Sequence, residues 1–220
     1  MNAVTSGSHK PVEKKRTRGR PACSAAVGAD VLLRCARRIF AKRGFDASSV
    51  REIARDSGVD PALIAHHFGS KEALWLAVVD QIGEQIAPLI DATAQLRSAE
   101  LSHRERVERA IVLFIDQVFN EPDTGMFFST AATEQGARLD ALINRLVRPY
   151  HDVFVPLLAD ASKAKELKSH DPEVLFSMLT HAISKTVAYS HVLQAFSSLP
   201  DDEKRFKRTV IKTALGMLGD

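Results

Sequence analysis

The chain has 220 residues, of which 45% are hydrophobic and 26% charged, as in ordinary soluble globular proteins. No stretch approaches the roughly 18 consecutive apolar residues of a membrane span, and Met1–Pro21 lacks the apolar core of a secretory signal. Two cysteines, Cys23 and Cys35, are too few for a disulfide framework or a zinc site. We therefore expect a reduced, cytoplasmic protein with no membrane segment, no metal and no cofactor.

The charge is distributed unevenly along the chain. Residues 1–60 contain 13 Lys/Arg and 6 Asp/Glu, a net charge of +7, whereas the rest contains 17 and 21, a net charge of −4. A basic N-terminal end on an acidic body suggests a polyanionic partner at that end.

Apolar residues recur at spacings of three and four, which predicts an all-α protein. Residues 1–23 are polar and basic and are predicted to be a disordered arm. The first helix is predicted from about Gly28 to Arg43, followed by a C-terminal cap at Gly44. Its apolar face comprises Leu32, Cys35, Ala36, Ile39 and Phe40. Its basic residues are predicted to lie largely off that face: Arg34, Arg37, Arg38, Lys42 and Arg43.

Two short helices follow, each with clear start and stop residues. Ser49 and Glu52 match a capping box that opens the first of them, and Gly58 ends it with a positive φ. Asp60 caps the second, and Pro61 occupies its first position, where the missing N–H costs nothing.

Longer helices are predicted after this pair. Gly69 ends the second short helix, and Ser70 caps a helix that runs to about Ala87, where Pro88 bends or stops it. Further helices are predicted near 103–120, 125–138, 140–168, 172–196 and 201–218.

The segment from Ser49 to Phe68 has the spacing of a helix-turn-helix. Large and small apolar residues alternate where the two helices cross, and Gly58 supplies the tight turn between them. The buried positions are predicted to be Ile53, Ala54, Val59 and Ile64, with Phe68 anchoring the exit. The second helix is short enough to lie in a DNA major groove.

Several motifs in this region occur in a characteristic order. They are Ala36-Arg-Arg-Ile-Phe-Ala-Lys-Arg-Gly44-Phe45, Ser49-Val-Arg-Glu-Ile-Ala54, Gly58-Val59 and His67-Phe68-Gly-Ser-Lys71-Glu72-Ala-Leu74. Together they resemble the DNA-binding domain of the tetracycline-repressor (TetR) family over about residues 26–86. The resemblance implies a helical ligand-binding and dimerisation domain over 87–220. It also implies a homodimeric repressor that leaves a palindromic operator when a small molecule binds. If binding separates or twists the two DNA-binding domains, the helix from Lys71 to Ala87 is the expected lever, because it ends the DNA-binding domain and enters the body.

The resemblance also implies which residues contact DNA. These are Ser49 and Arg51 on the first short helix, Ala62 and Leu63 at base edges, and His67 and Lys71 at the phosphate backbone. Most family members have tyrosine where this chain has Ala65. We hypothesise that His66 takes over part of that phosphate contact; the alternative is a solvated surface histidine.

The second short helix is mostly apolar, so part of the sequence readout is expected from its flanks. Within the arm, Arg18-Gly19-Arg20-Pro21 resembles an AT-hook, whose arginines complement a narrow A·T minor groove. The alternative is a basic tail that contributes only non-specific electrostatic affinity.

Two apolar stripes near the C-terminus are candidate dimer surfaces on helices 172–196 and 201–218. A helical stripe alone is more often the core of one protomer than an interface, and it is the resemblance that favours an interface. The first stripe comprises Leu175, Met178, Leu179, Ala182, Ile183, Thr186, Val187 and Ser190. The second comprises Phe206, Val210, Ile211, Ala214 and Leu218.

An effector pocket should be apolar with few polar groups. Each candidate residue for it is also compatible with an ordinary core position. The apolar candidates are Phe114, Phe119, Met126, Phe127, Phe128, Phe154, Phe176 and Tyr189. The polar candidates are Glu134, Gln135, Arg138 and His181.

No nucleotide-binding, hydrolase or metal-ligand motif is present, so an enzyme is not expected. The alternative regulators are a transcriptional activator and a ligand-independent DNA-binding protein built on the same fold.

Overall fold

The structure, a computed structural model, describes residues 29–168 and 171–219. Those residues form helices and no strand, which confirms the all-α prediction. The helices are α1 Ala29–Arg43, α2 Val50–Ser57, α3 Pro61–Phe68, α4 Lys71–Gln95, α5 His103–Asn120, α6 Pro122–Ala131, α7 Ala137–Leu142, α8 Arg148–Lys163, α9 Pro172–Ala188, α10 Ser190–Gln194 and α11 Glu203–Gly216. The arm, with Arg18 and Arg20, lies outside the described residues.

The predicted turns between α2, α3 and α4 are confirmed. Gly58 has φ 71°, in the left-handed region that a side chain would strain, and its N–H bonds back to the last turn of α2. The Asp60 carboxylate accepts the N–H of Ala62 at 2.8 Å, and the Ser70 hydroxyl oxygen accepts that of Ala73 at 3.0 Å. These local hydrogen bonds fix where each helix begins.

The capping box predicted at Ser49 forms only in part. The Ser49 hydroxyl oxygen accepts the N–H of Glu52 at 3.1 Å. The Glu52 carboxylate pairs instead with Arg43 Nε at 2.8 Å, which ties α2 to the end of α1. A reciprocal capping box occurs at Ser102 and Glu105, at the start of α5.

The predicted end of α4 at Pro88 is wrong, because the helix continues to Gln95. Proline removes one backbone hydrogen bond, but Leu89 and Thr93 beyond it are buried in the body of the protein. Lys71–Ser98 is the one segment of the described chain that is long and apolar enough to cross a membrane by length and composition. Several of its side chains pack inside this fold, including Leu74 and Val78.

Later helix boundaries also differ from the predictions. The helix predicted from Gly125 starts at Pro122, since proline at the first helical position costs no hydrogen bond. It ends at Ala131, and the chain turns at Gly136 with φ 62°. Between α7 and α8, a π-helical turn over Ile143–Val147 precedes Pro149. The helix predicted over 172–196 breaks after Ala188 into α9 and α10.

The buried side chains form two clusters. One combines α1 to α4 with residues from α6 to the π-helical turn, namely Phe127, Ala131, Leu142 and Leu146. The other lies among α4, α5, α8, α9 and α11. The N-terminal helices therefore share their core with the body of the protein.

Arg37 differs from its prediction. The sequence placed it off the apolar face of α1, yet its side chain is only 2% exposed. It points from α1 toward α4 and α6, where its guanidinium finds acidic and polar partners. The pattern of α1 alone cannot reveal this, because those partners lie far away in sequence.

A half-buried histidine links α8 to α9. His151 bonds Asp152 through Nδ1 at 2.9 Å and Glu173 through Nε2 at 2.6 Å, and its ring meets Phe176 edge-on at 5.3 Å. The hydrogen bonds with Asp152 and then Glu173 raise the pKa of His151 above its ordinary value of 6.5. The imidazolium thus bridges two helices.

We expect the contribution of His151 to stability to depend on pH. A histidine whose pKa is raised by folding stabilises the fold fully below 6.5 and loses this as pH rises through the folded-state pKa. Thermal unfolding of the protein and of His151→Gln should show a Tm gap that narrows from about pH 6 to about pH 9. A gap that stays constant over this range would contradict the expectation.

Candidate functional site

Helices α2 and α3 cross with their apolar faces inward. Ile53 and Ala54 are fully buried, and Ile64 is 1% exposed. Val59, in the turn, packs into the same cluster, and Phe68 lies half-buried against it. This packing holds α3 as a short helix with one face turned to solvent.

The candidate DNA-contact residues lie mostly on this exposed surface. Leu63 is half-buried, because its side chain packs partly against the core. His66 and His67 have rings 5.6 Å apart at a steep angle. The exposed candidates are Ser49, Arg51, Ala62, His66 and His67. Their DNA contacts stay predictions.

Lys71 has a structural role that the sequence did not reveal. Its ammonium donates to the backbone carbonyls of Phe45 at 2.7 Å and Ser48 at 2.9 Å, and it lies 4.2 Å from the centroid of the Phe45 ring. These bonds tie the start of α4 to the loop between α1 and α2. Two of its three N–H donors are thus already used inside the protein.

A cavity of about 170 Å³ lies in the body among α4, α5, α6, α8 and α9. Four candidate ligand residues line it: Phe114, Phe128, Phe176 and His181. The ring of His181 stacks on Phe128 at 5.8 Å. The remaining wall combines six aliphatic side chains from α4, α5 and the π-helical turn with six polar ones from α5, α6 and α9, together with Tyr150 and Gly125.

The other apolar candidates do not line this cavity. Phe127 packs against Trp75 with ring centroids 5.8 Å apart, and Phe154 is buried in the body cluster. Phe119 contacts Phe206 edge-on at 5.4 Å. Met126 packs against the cluster that contains α1 to α4. Tyr189 and Gln135 are also absent from the cavity wall.

Glu134 and Arg138 lie at the junction with the N-terminal helices instead of in the cavity. Arg138 Nε donates to Glu134 at 2.8 Å, and its Nη1 donates to Glu72 on α4 at 3.1 Å. Its guanidinium carbon is 4.0 Å from the centroid of the Phe45 ring. The hydrogen bond to Glu134 is the main reason that the pKa of Arg138 is raised.

Arg37 connects the cavity to α1. Its Nη2 donates to Glu121 at 2.7 Å, and its Nη1 donates to Gln85 at 2.8 Å and to Thr124 at 3.2 Å. Glu121 and Thr124 both line the cavity, at the start of α6. A buried arginine on α1, which packs against α2 of the helix-turn-helix, is thus held by groups that line the cavity.

Sequence reasoning missed several residues of the cavity wall. Tyr150 and Gln117 line it, as do Leu146 and Val147 from the π-helical turn. Prolines at 149 and 156 indicate a kinked or broken helix in this part of the sequence, but they do not indicate what that helix faces.

A family description matches the helix-turn-helix region directly. Residues 32–78 match the model of "Bacterial regulatory proteins, tetR family". The HTH-type transcriptional regulator BetI of Rhizobium meliloti is 39% identical over 141 residues, which cover 62% of this chain and 68% of BetI. The chain therefore belongs to the tetR family of bacterial regulatory proteins.

Two further comparisons frame the rest of the molecule. The HTH-type transcriptional repressor Rv3405c of Mycobacterium tuberculosis is 35% identical over 96 residues, or 43% of this chain. The match spans only about half of that relative's length, 48%. A crystal structure of the transcriptional regulator FadR from Bacillus subtilis, in complex with stearoyl-CoA, has the same fold with a TM-score of 0.59 at 16% identity. It covers 84% of this chain and 97% of FadR.

Proposed function

We propose that this protein is a sequence-specific transcriptional repressor in the cytoplasm, which binds a palindromic operator as a homodimer and is released by a small molecule. One observation carries the proposal: the exposed α3 of a helix-turn-helix and a body with an apolar cavity are connected within the same structure. Arg37 makes that connection from the cavity rim to α1. The FadR complex with stearoyl-CoA supports the view that this fold accommodates a small-molecule ligand.

Selection of duplexes from random DNA by the full chain tests the DNA-binding half of the proposal. We expect a two-fold symmetric site, since a dimer places two copies of α3 in successive major grooves. Affinity should fall steeply with salt, because phosphate contacts release counterions. Enrichment of no sequence above background would contradict the proposal. The position of the site relative to a promoter separates a repressor from an activator.

His66 is the residue that we expect to replace the missing tyrosine contact. It is exposed on α3, one position after Ala65. Replacement by alanine should weaken binding to the selected duplex about tenfold, the size of one charge-assisted contact to phosphate. Fluorescence anisotropy measures this. His191→Ala, an exposed histidine on α10, is the control and should leave affinity unchanged. If the unsubstituted protein, His66→Ala and His191→Ala bind the selected duplex with equal affinity, His66 is a solvated surface residue.

The two apolar stripes that the sequence predicted as dimer surfaces need a correction. Leu175, Leu179, Ile183 and Val187 are buried inside the protomer, and so are Phe206, Val210, Ala214 and Leu218. The exposed stripe of α9 comprises Val174, Met178, Ala182 and Thr186. Val174 and Met178 are 57% and 55% exposed, which is unusual for large apolar side chains. We propose this exposed stripe as part of the dimer interface.

Carboxylates in that stripe should separate the protomers. Val174→Glu combined with Met178→Glu would bury two like-charged pairs across a two-fold axis, so a monomer is expected by light scattering at micromolar concentration. Operator affinity should fall at least a hundredfold, because one half-site makes too few contacts. Ala94→Glu, an exposed change on α4, is the control and should stay dimeric. A double variant that remains dimeric would place the interface elsewhere.

A further inference from the structure

The cavity wall carries a buried hydroxyl whose hydrogen bonding is incomplete. Tyr150 lines the cavity and is 5% exposed, and its Oη makes no hydrogen bond among the described residues. The neighbouring Thr93 hydroxyl is also buried and without a partner. Two hydroxyls contain two hydrogens, and a bond between them would use only one. At least one donor is therefore left without an acceptor, which is costly in a buried site.

Tyr150 can act only as a neutral group here. Burial raises the pKa of its hydroxyl well above the ordinary value, and the nearby Thr93 hydroxyl offsets a small part of that shift. Its ring is fixed by stacking on Phe114 at 5.4 Å and by contact with Phe176 at 6.1 Å. The site thus presents a positioned donor on an aromatic wall.

The charge on the wall is already balanced. Glu121 is the one carboxylate among the described residues that line the cavity, and Arg37 holds it at 2.7 Å. An anionic ligand would face that carboxylate, and a cationic ligand would compete with a guanidinium that is itself buried. Either charge would have to lose hydration, and apart from Glu121 the wall offers it only His181 and neutral hydroxyl and amide groups.

The volume indicates the size of the group that fits inside the cavity. An apolar cavity of about 150 Å³ in an unrelated protein holds one benzene ring. The cavity here, about 170 Å³, accommodates a single aromatic ring or a comparable aliphatic group with a short substituent.

We propose that the effector cavity binds an uncharged, largely apolar molecule about the size of one aromatic ring, whose hydrogen-bond acceptor takes the Tyr150 hydroxyl. This inference rests on the proposed function, in which the cavity holds the effector. It adds the chemical class of that effector.

Four probes of nearly the same shape test the class. Acetophenone carries an acceptor, cumene has a methyl group in place of its carbonyl oxygen, benzoate is an anion and benzamidinium is a cation. Calorimetric titration of each into the full-length protein, without DNA, gives the four affinities. Acetophenone and cumene should bind, and the two ions should bind at least tenfold more weakly. Tighter binding of either ion, or binding of none of the four, would overturn the proposal.

Tyr150→Phe then isolates the hydroxyl. Acetophenone should lose about tenfold in affinity because its carbonyl is left buried without a donor, while cumene should be unaffected. Thr93→Val, which removes the other unpaired hydroxyl from outside the cavity wall, should preserve the ratio of the two affinities. An unchanged ratio in Tyr150→Phe would overturn the role of Tyr150.

Two parallel measurements keep the outcomes distinct. Tyr150→Phe should unfold at the same temperature as the protein or higher, since it removes an unsatisfied group; a clear loss of stability would mean that the hydroxyl is paired within the fold. Binding to the selected duplex is measured for the same samples. Intact DNA binding with failed probe binding would refute the ligand class alone, whereas lost DNA selection would refute the proposed function.

Discussion

Replacing Glu121 with alanine is expected to lower the free energy of unfolding by about 3 kcal/mol, because it leaves the buried Arg37 without its countercharge. Arg37 is 2% exposed, and Gln85 and Thr124 would be its remaining partners. Both are neutral and satisfy the guanidinium only in part. Denaturant unfolding, followed by the fluorescence of the single tryptophan at one fixed protein concentration, measures the change.

The control for this prediction is Glu121→Gln. Glutamine keeps an acceptor at the same position and removes only the charge, so it should cost clearly less than alanine. A loss below about 1 kcal/mol for alanine would mean that Gln85 and Thr124 satisfy Arg37 by themselves. The connection between the cavity rim and α1 would then contribute little to the free energy of unfolding.

Replacing Trp75 with alanine is expected to cost about 3–5 kcal/mol, the range for deleting a large aromatic side chain from a packed core. Trp75 is 1% exposed and lies where α4 meets Phe127 of α6. Circular dichroism must report unfolding here, since the variant has lost its only tryptophan. The resulting cavity would loosen the contact between the DNA-binding helices and the body, so operator affinity should also fall.

Two variants test whether the loss comes from the buried volume. Trp75→Phe keeps one ring and should recover a large part of the stability. Leu76→Ala, on the same helix but half-buried, should cost clearly less than Trp75→Ala. A similar loss in Leu76→Ala and Trp75→Ala would indicate that α4 responds to any truncation, independent of the contact with Phe127.

The parts of the fold that were predicted correctly depend on interactions between residues that are close in sequence. Asp60 and Ser70 cap helices two or three residues away, and Gly58 allows a backbone conformation that strains other residues. Such interactions are complete within a few positions, so residue type and spacing suffice to predict them. The helix-turn-helix was therefore predicted nearly to the residue.

The connections between the N-terminal helices and the body could not be predicted in the same way. Arg37 and Glu121 are 84 positions apart, and each alone resembles an ordinary surface charge. Pro88 predicted a helix end because the loss of one backbone hydrogen bond at a proline can be recognised from the sequence. The burial of Leu89 and Thr93 beyond it depends on the tertiary packing. Among the candidate pocket residues, nothing in the sequence distinguishes Phe127 and Phe154 from Phe114. Only the tertiary packing places Phe114 at the cavity and the other two in the packed core.

The core that α1 to α4 share with the body limits how segments can be exchanged between such proteins. Trp75 and its neighbours on α4 are covered by Phe127, Ala131, Leu142 and Leu146 from the body. A fragment cut after α4 would expose this apolar surface to water and would lose its folding partner. The N-terminal helices are therefore not a portable module. A chimaera with a different body would have to keep these four contact residues, so α1 to α4 can be transferred only together with matching parts of α6, α7 and the π-helical turn.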